Sequence, residues 1–189
     1  MTARLFSSAR ERRLWACTLA VVLAIYSTLG FMPTLAGALR DRGLLGAFFV
    51  LGMLLVGGTV LTQGLKTRPR GAELGVALGV AAAYLMVFVR MSLPEERTHL
   101  IEYGVVAVFI YEALTERANQ GRRGRAPFLL AVLATSVLGV LDECIQATLP
   151  NRVFALQDIL FNVLAAVMAV ATMMALGWAR RWTAQRRNE

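Results

Sequence analysis

The stretch FLLAVLATSVLGVLDECIQATL, Phe128–Leu149, decides how this chain folds. It is apolar or small up to Asp142, and its length matches the about 20 residues that a helix needs to cross the hydrocarbon core of a bilayer. It then ends in two adjacent acids, Asp142 and Glu143, followed one turn later by Gln146. A carboxylate inside or beside a membrane segment is costly and usually has a partner or a function. The stretch therefore predicts a transmembrane helix with a polar site at one end.

Further apolar segments of similar length lie on either side of this one. The complete set predicts an all-α polytopic transmembrane bundle of about six helices, which forms a single membrane domain over residues 1–189. Gly30 and Pro33 predict a kink in the outer third of the first span. The six predicted spans are Leu14–Leu35, Leu44–Leu65, Ala72–Met91, His99–Glu116, Phe128–Leu149 and Gln157–Ala179.

Composition supports a membrane protein and excludes nucleic acid as a partner. Hydrophobic residues make up 57% of the chain and charged residues 17%, which is more apolar surface than a soluble domain of this size covers. The net charge of +8 lies in loops and tails between apolar runs, where membrane topology explains it. Cys17 and Cys144 form neither a disulfide framework nor a zinc motif, and we expect both to be packing residues.

The distribution of basic residues predicts the orientation of the bundle. With both termini in the cytoplasm, 15 Lys and Arg residues fall inside and 5 outside. Each inside tail or connection carries more Lys and Arg than the outside connections next to it, as the positive-inside rule expects. The acids at the end of the fifth span then lie at the extracytoplasmic face. Glu73, Glu112 and Glu116 lie towards the inner ends of the third and fourth spans, where they can snorkel or pair with the basic inner loops.

The outer end of the fourth span carries the only histidine of the chain. His99, Glu102 and Tyr103 are three and four residues apart, so they share one helical face. A histidine beside a carboxylate is suited to proton transfer or to metal binding. It is equally suited to a hydrogen bond that ties the helix to its neighbours, and the sequence leaves both interpretations open.

The two acids of the fifth span create an electrostatic problem. Asp142 and Glu143 point roughly 100° apart around the helix, so they cannot face the same spot squarely. Two ionised carboxylates this close repel each other, so either one is protonated or a cation lies nearby. Arg152, Arg97, a metal ion and a substrate amine are all candidates for that cation.

The loop after the fifth span and the start of the sixth complete the polar set. Arg152 is suited to pairing with carboxylates or to holding a phosphate. Asp158 begins the sixth span, where it complements the helix dipole. Asn162 lies one turn deeper on the same face, and we expect its amide to turn inward towards a partner.

The order of these polar residues resembles the VanZ-like family. Asp142-Glu143-Cys144-Ile145-Gln146, then Pro150-Asn151-Arg152, then Asp158 to Asn162 follow that family's pattern, as does the upstream segment from His99 to Tyr103. The resemblance covers about residues 95–170. Members often carry Lys or Asp a few residues before the histidine, where this chain has Glu95-Glu96-Arg97.

The resemblance implies a multi-pass protein of the bacterial cytoplasmic (inner) membrane. The founding member of the family is associated with low-level resistance to teicoplanin, a glycopeptide antibiotic. The expected partners are therefore membrane lipids and either a lipid-linked envelope precursor or the glycopeptide itself. By position, the catalytic candidates are His99, Glu102, Asp142 and Glu143, and the substrate-binding candidates are Gln146, Arg152, Asp158 and Asn162.

Three classes of function are consistent with these residues. The first is a protein that acts on or binds envelope components at the extracytoplasmic face. The second is a small membrane enzyme that modifies a lipid headgroup through an acidic and histidine site, and the third is a small proton-coupled transporter. Thr148 is the nearest hydroxyl to the acids, so the sequence offers no clear nucleophile. Whether the chain is catalytic, and which metal or cofactor it holds, stay open from the sequence alone.

Overall fold

A computed structural model describes residues 6–47, 51, 71–90, 94–121, 126–150 and 154–186. Every regular element in these ranges is a helix, which confirms the all-α prediction for this part of the chain. The helices with eight or more residues are α1 (Ala9–Thr28), α2 (Met32–Asp41), α3 (Ala72–Arg90), α4 (Pro94–Asn119), α5 (Pro127–Gln146) and α6 (Leu156–Gln185).

The first predicted span is two helices rather than one. α1 ends at Thr28 and α2 begins at Met32, so the predicted kink is a break in the helix. Pro33 lies in the first turn of α2, where its missing N–H costs no hydrogen bond. The second predicted span, Leu44–Leu65, lies almost wholly outside the described residues.

Two of the described helices, α5 and α6, are long and apolar enough to cross a membrane. Only 28% of the most apolar stretch of each is buried inside the protein. The core helix of a soluble protein would be mostly enclosed, so these exposed apolar faces favour contact with lipid. α4 has 26 residues but carries charged side chains towards both ends, so it does not pass the same test.

The described residues divide into two compact units. The first contains α1, α4, α5 and α6 up to Met173. The second contains α2, α3 and the end of α6 from Met174. In the second unit, Trp178 and Trp182 stack with their ring centroids 6.1 Å apart, and the guanidinium of Arg186 lies 4.1 Å above the Trp182 ring. The candidate site residues that the structure describes all belong to the first unit.

Small residues form much of the core of the first unit, and large apolar residues cover its surface. The buried core includes Ile25, Val106, Ala107, Ile110, Ala131, Ala166, Ala169 and Val170. On the outside, Leu133 of α5 is 52% exposed and Leu160 of α6 is 68% exposed. Helices that pack in lipid use small residues at their contacts, because burial of large apolar side chains gains little there. Cys17 and Cys144 are also exposed, so neither belongs to the buried core.

A buried acid joins α1 to α4 at the end of the unit opposite His99. Ser8 caps α1 by accepting a hydrogen bond from the Glu11 N–H at 3.0 Å. The Glu11 carboxylate accepts bonds from the Ser7 N–H at 2.7 Å and from Arg117 Nε at 2.6 Å. Burial by itself raises the pKa of Glu11, but the hydrogen bonds from Ser7 and the charge of Arg117 outweigh it and lower the pKa to about 2.

A second ion pair lies beside this buried acid. Arg10 contacts Glu112 at 2.6 Å and Glu116 at 3.4 Å, and Ser8 Oγ donates a hydrogen bond to Glu116 at 2.8 Å. Glu112 and Glu116 therefore pair with a basic residue, but that residue is Arg10 near the N-terminus and not a residue of a loop.

Candidate functional site

Three helices bring the candidate residues together near one end of the first unit. His99 and Glu102 lie on α4, Asp142, Glu143 and Gln146 on α5, and Asp158 and Asn162 on α6. Asp142, Glu143 and Asn162 are completely buried, Gln146 is 2% exposed and His99 is 9% exposed. Glu102 and Asp158 are half-buried. Arg152 lies outside the described residues, as does the side chain of Arg97.

Glu143 connects the end of α5 to the start of α6. Its Oε2 accepts a hydrogen bond from the backbone N–H of Ala155 at 3.0 Å, one residue before α6 begins. Its Oε1 accepts a second bond from Gln146 Nε2 at 3.3 Å. Both oxygens are therefore oriented by the protein, and each retains a lone pair for another partner.

Glu143 also meets a histidine and a second carboxylate. His99, Glu143 and Asp158 each present one ligand-type atom, and these three atoms all lie within 4.8 Å of one another. We call these three residues the His99 cluster. Nδ1 of His99 is buried and has no hydrogen-bond partner among the described residues. The cluster therefore combines an imidazole and two carboxylates, one residue from each of α4, α5 and α6.

Asp142 faces different neighbours from Glu143, as the angle between adjacent helical positions predicts. Its charge acts on Glu102 and Tyr103 of α4 and on Tyr26 of α1. Gln146 Nε2 donates to Asp142 Oδ2 at 3.2 Å as well as to Glu143, so this amide bridges the two acids. The two adjacent acids at the end of α5 therefore face different sets of neighbours.

Asn162 lies deeper between α5 and α6. It is fully buried, as expected for an amide that turns inward, and neither atom of its amide has a hydrogen-bond partner among the described residues. Its side chain packs directly on the backbone of Gly139, where a Cβ would come within 2.8 Å of Asn162 Cβ. The absence of a side chain at Gly139 is therefore what allows Asn162 to point into the bundle.

The structure adds two groups that sequence reasoning did not include. Tyr26 of α1 lies near Asp142 and donates a hydrogen bond to the carbonyl of Leu138 at 2.7 Å, so α1 also contributes to the site. A tyrosine inside an apolar span is the signal that could have pointed to it. The backbone N–H of Ala155 is the second group, and no side-chain pattern reveals such a donor.

The arrangement supports proton transfer or cation binding better than nucleophilic catalysis. An imidazole between two carboxylates can accept, hold and pass a proton. Thr148, the nearest hydroxyl predicted from the sequence, is exposed and donates to the Ile145 carbonyl of its own helix at 2.7 Å. Among the described residues it is therefore not poised to attack a substrate at the His99 cluster.

No protein-family model matches this chain, and neither a curated protein nor a solved structure matches it.

Proposed function

We propose that this chain is a VanZ-like integral protein of the bacterial cytoplasmic membrane that acts on envelope or lipid-linked components at the extracytoplasmic face. In this proposal the chain crosses the membrane about six times with both termini in the cytoplasm. Its physiological effect is a lower susceptibility to glycopeptides such as teicoplanin. The order of polar residues from His99 to Asn162 supports the family, and the 15 to 5 distribution of basic residues supports the orientation.

The observation that carries this proposal is the convergence of the His99 cluster and Asp142 beside an apolar core. Buried ionisable residues in a membrane bundle are expensive and mark functional positions. The core that follows along α4 and α5 towards their other ends is mostly apolar, with Val106, Ile110 and Ala131, and Thr135 is a buried polar side chain within it. A site at one end, with an apolar core beyond it, suits a molecule that approaches from one side of the membrane. A proton-coupled carrier needs a path through the core, so this core disfavours a carrier.

The second candidate function is a membrane enzyme that modifies a lipid headgroup. The proximity of His99, Glu143 and Asp158 favours it, because acid–base catalysis on a phosphate ester or glycosidic bond needs paired proton donors and acceptors. In this version Arg152 holds a phosphate bidentately, as its sequence position suggests. Both functions use the same site and differ in whether the bound molecule leaves changed.

The proposal is tested in a teicoplanin-sensitive bacterial host that expresses the unmutated chain or one variant. The variants Glu143→Gln, Arg152→Ala and Asp158→Asn change the site, and Glu112→Gln is the matched control at the other end of α4. For each one, the minimum inhibitory concentration of teicoplanin is measured together with membrane abundance and monodispersity in detergent.

We expect the site variants to remain abundant and monodisperse while they lose protection, and the control to retain it. If abundance falls in parallel with protection, the polar residues stabilise the bundle and are not a functional site. If the unmutated chain gives no protection, the resistance function does not apply to this protein. Comparing the headgroups of extracted lipids with and without expression separates the enzyme from the binding protein.

A further inference from the structure

We propose that His99, Glu143 and Asp158 bind a divalent transition-metal ion such as Zn²⁺ or Mn²⁺. This inference deepens the proposed function by naming a cofactor for its site, but it does not depend on which molecule the site acts on. The three residues come from three different helices, so the ion would also hold α4, α5 and α6 together at this end of the unit.

The distances between the ligand atoms are compatible with a single ion. Each protein nitrogen or oxygen lies about 2.0–2.2 Å from Zn²⁺, so two ligand atoms of one tetrahedral ion are about 3.3–3.6 Å apart. In the His99 cluster all three atoms lie within 4.8 Å of one another. The atoms of each pair would have to approach by at most about 1.5 Å, or about 0.7 Å per side chain, which side-chain torsional changes can supply.

One imidazole nitrogen without a hydrogen-bond partner provides the second, independent indication. His99 is 9% exposed, and its buried Nδ1 has no hydrogen-bond partner among the described residues. A buried polar atom without a protein partner is costly, and a bound ion is one of the established explanations. An imidazole nitrogen among carboxylate oxygens selects transition metals over Mg²⁺, which prefers oxygen ligands and retained water.

The charges around Glu143 also favour a bound cation. Among the described residues, the charged groups that act on Glu143 are Asp142, Asp158 and His99. Three carboxylates and one imidazole therefore share a largely buried volume. A divalent ion compensates this charge more completely than a protonated histidine alone.

The surroundings of Glu143 resemble those of an oriented metal ligand. The Ala155 N–H and the Gln146 amide hold its two oxygens at 3.0 and 3.3 Å. Such outer hydrogen bonds fix ligand geometry and affect metal affinity by about 10–100-fold. Three protein ligands also leave a coordination position open, as in catalytic zinc sites, where a phosphate or carbonyl oxygen of an envelope component can bind.

The inference is tested on the full chain purified in detergent and treated with a chelator. Zn²⁺, Mn²⁺ and Mg²⁺ are titrated separately by calorimetry, and bound metal per chain is measured by elemental mass spectrometry. We expect about one Zn²⁺ or Mn²⁺ per chain with a raised melting temperature, and much weaker binding of Mg²⁺. His99→Gln, Glu143→Gln and Asp158→Asn should each lower the affinity at least about tenfold. Glu112→Gln removes a carboxylate from the same helix as His99 and should leave binding unchanged.

Three results would overturn the metal site: no saturable binding to the unmutated chain, equal binding of Mg²⁺ and Zn²⁺, or unchanged affinity in all three ligand variants. Circular dichroism and monodispersity show whether each variant folds. If a buried variant does not fold, Asp158→Asn at the half-buried start of α6 provides the decisive comparison. Metal is counted on purified protein, so a chain that binds Zn²⁺ but gives no teicoplanin protection refutes the proposed function and leaves this site intact.

Discussion

Replacing Gly139 by alanine is the sharpest test of how α5 and α6 pack. A Cβ at this position would lie 2.8 Å from Asn162 Cβ, 2.9 Å from its Nδ2 and 3.2 Å from its Cγ. The nearest of these atoms is attached directly to the α6 backbone, so rotation of the Asn162 side chain cannot move it away. The two helices must separate or Asn162 must leave the core.

The size of the effect follows from two opposing contributions. Alanine in a helix interior is favoured over glycine by about 0.8–1.0 kcal/mol. Overpacking a tight contact costs about 1–3 kcal/mol. Gly104 provides a matched control, because a Cβ there meets only Ala169 Cβ, at an ordinary contact distance of 3.8 Å. We expect Gly104→Ala to be neutral or stabilising and Gly139→Ala to be destabilising, with about 1–3 kcal/mol between them in the free energy of unfolding.

Reversible unfolding of the purified protein in mixed detergent measures both variants under the same conditions. A double-mutant cycle with Asn162→Gly tests whether the lost stability comes from this contact. Asn162→Gly removes the Cβ atom with which the new methyl group of Gly139→Ala would clash. The penalty of Gly139→Ala should then shrink by most of its value. If Gly139→Ala is as stable as Gly104→Ala, or if Asn162→Gly does not relieve it, the close approach of α5 and α6 is wrong.

Further predictions concern the polar contacts of α1. Glu11→Gln should lower the free energy of unfolding by about 1.5–3 kcal/mol, because it removes charge-assisted hydrogen bonds to a buried acid, including that from Arg117. Glu112→Gln, which breaks a more exposed ion pair, should cost under about 1 kcal/mol by the same assay. Because folding lowers the pKa of Glu11 from 4.5 to about 2, its contribution is complete above pH 4.5 and is lost as the pH falls towards 2; the acid side of the stability profile should therefore flatten in Glu11→Gln. Tyr26→Phe should cost about 0.5–1.5 kcal/mol through the lost bond to the Leu138 carbonyl, and an unchanged unfolding midpoint would contradict that bond.

The sequence predicted α5 and α6 well, because each consists mainly of one uninterrupted apolar run. Phe128–Leu149 and Gln157–Ala179 begin within one residue of α5 and α6, because uninterrupted apolar runs leave few alternatives to a helix. α5 ends three residues before the predicted end, and α6 continues six residues beyond it. The prediction of the first span was wrong near Gly30, because the apolar sequence continues there although the helix is broken. A hydropathy window measures composition and does not respond to a local end of hydrogen bonding, so it joined α1 and α2.

At the candidate site, the sequence predicted the directions of side chains but not the contacts between helices. Helical spacing correctly separated the directions of Asp142 and Glu143 and placed Asn162 inward. It could not show that Glu143 meets His99 and Asp158 while Asp142 meets Tyr26, because those distances depend on how α1, α4, α5 and α6 pack. Contacts that involve backbone atoms, such as the Ala155 N–H and the surface of Gly139, leave no pattern in side-chain chemistry.

The polar groups at both ends of α4 have a consequence for its axial position. The middle of this helix packs through apolar residues such as Val106, Ala107 and Ile110, whose contacts are not directional. Sliding by one turn, about 5.4 Å, would separate Arg117 from Glu11 at one end and His99 from Glu143 at the other. These two sets of contacts therefore fix the axial position of α4 relative to its neighbours. Breaking the Arg117–Glu11 contact should therefore alter the His99 cluster through translation of α4, whereas Glu112→Gln leaves that contact in place and should not.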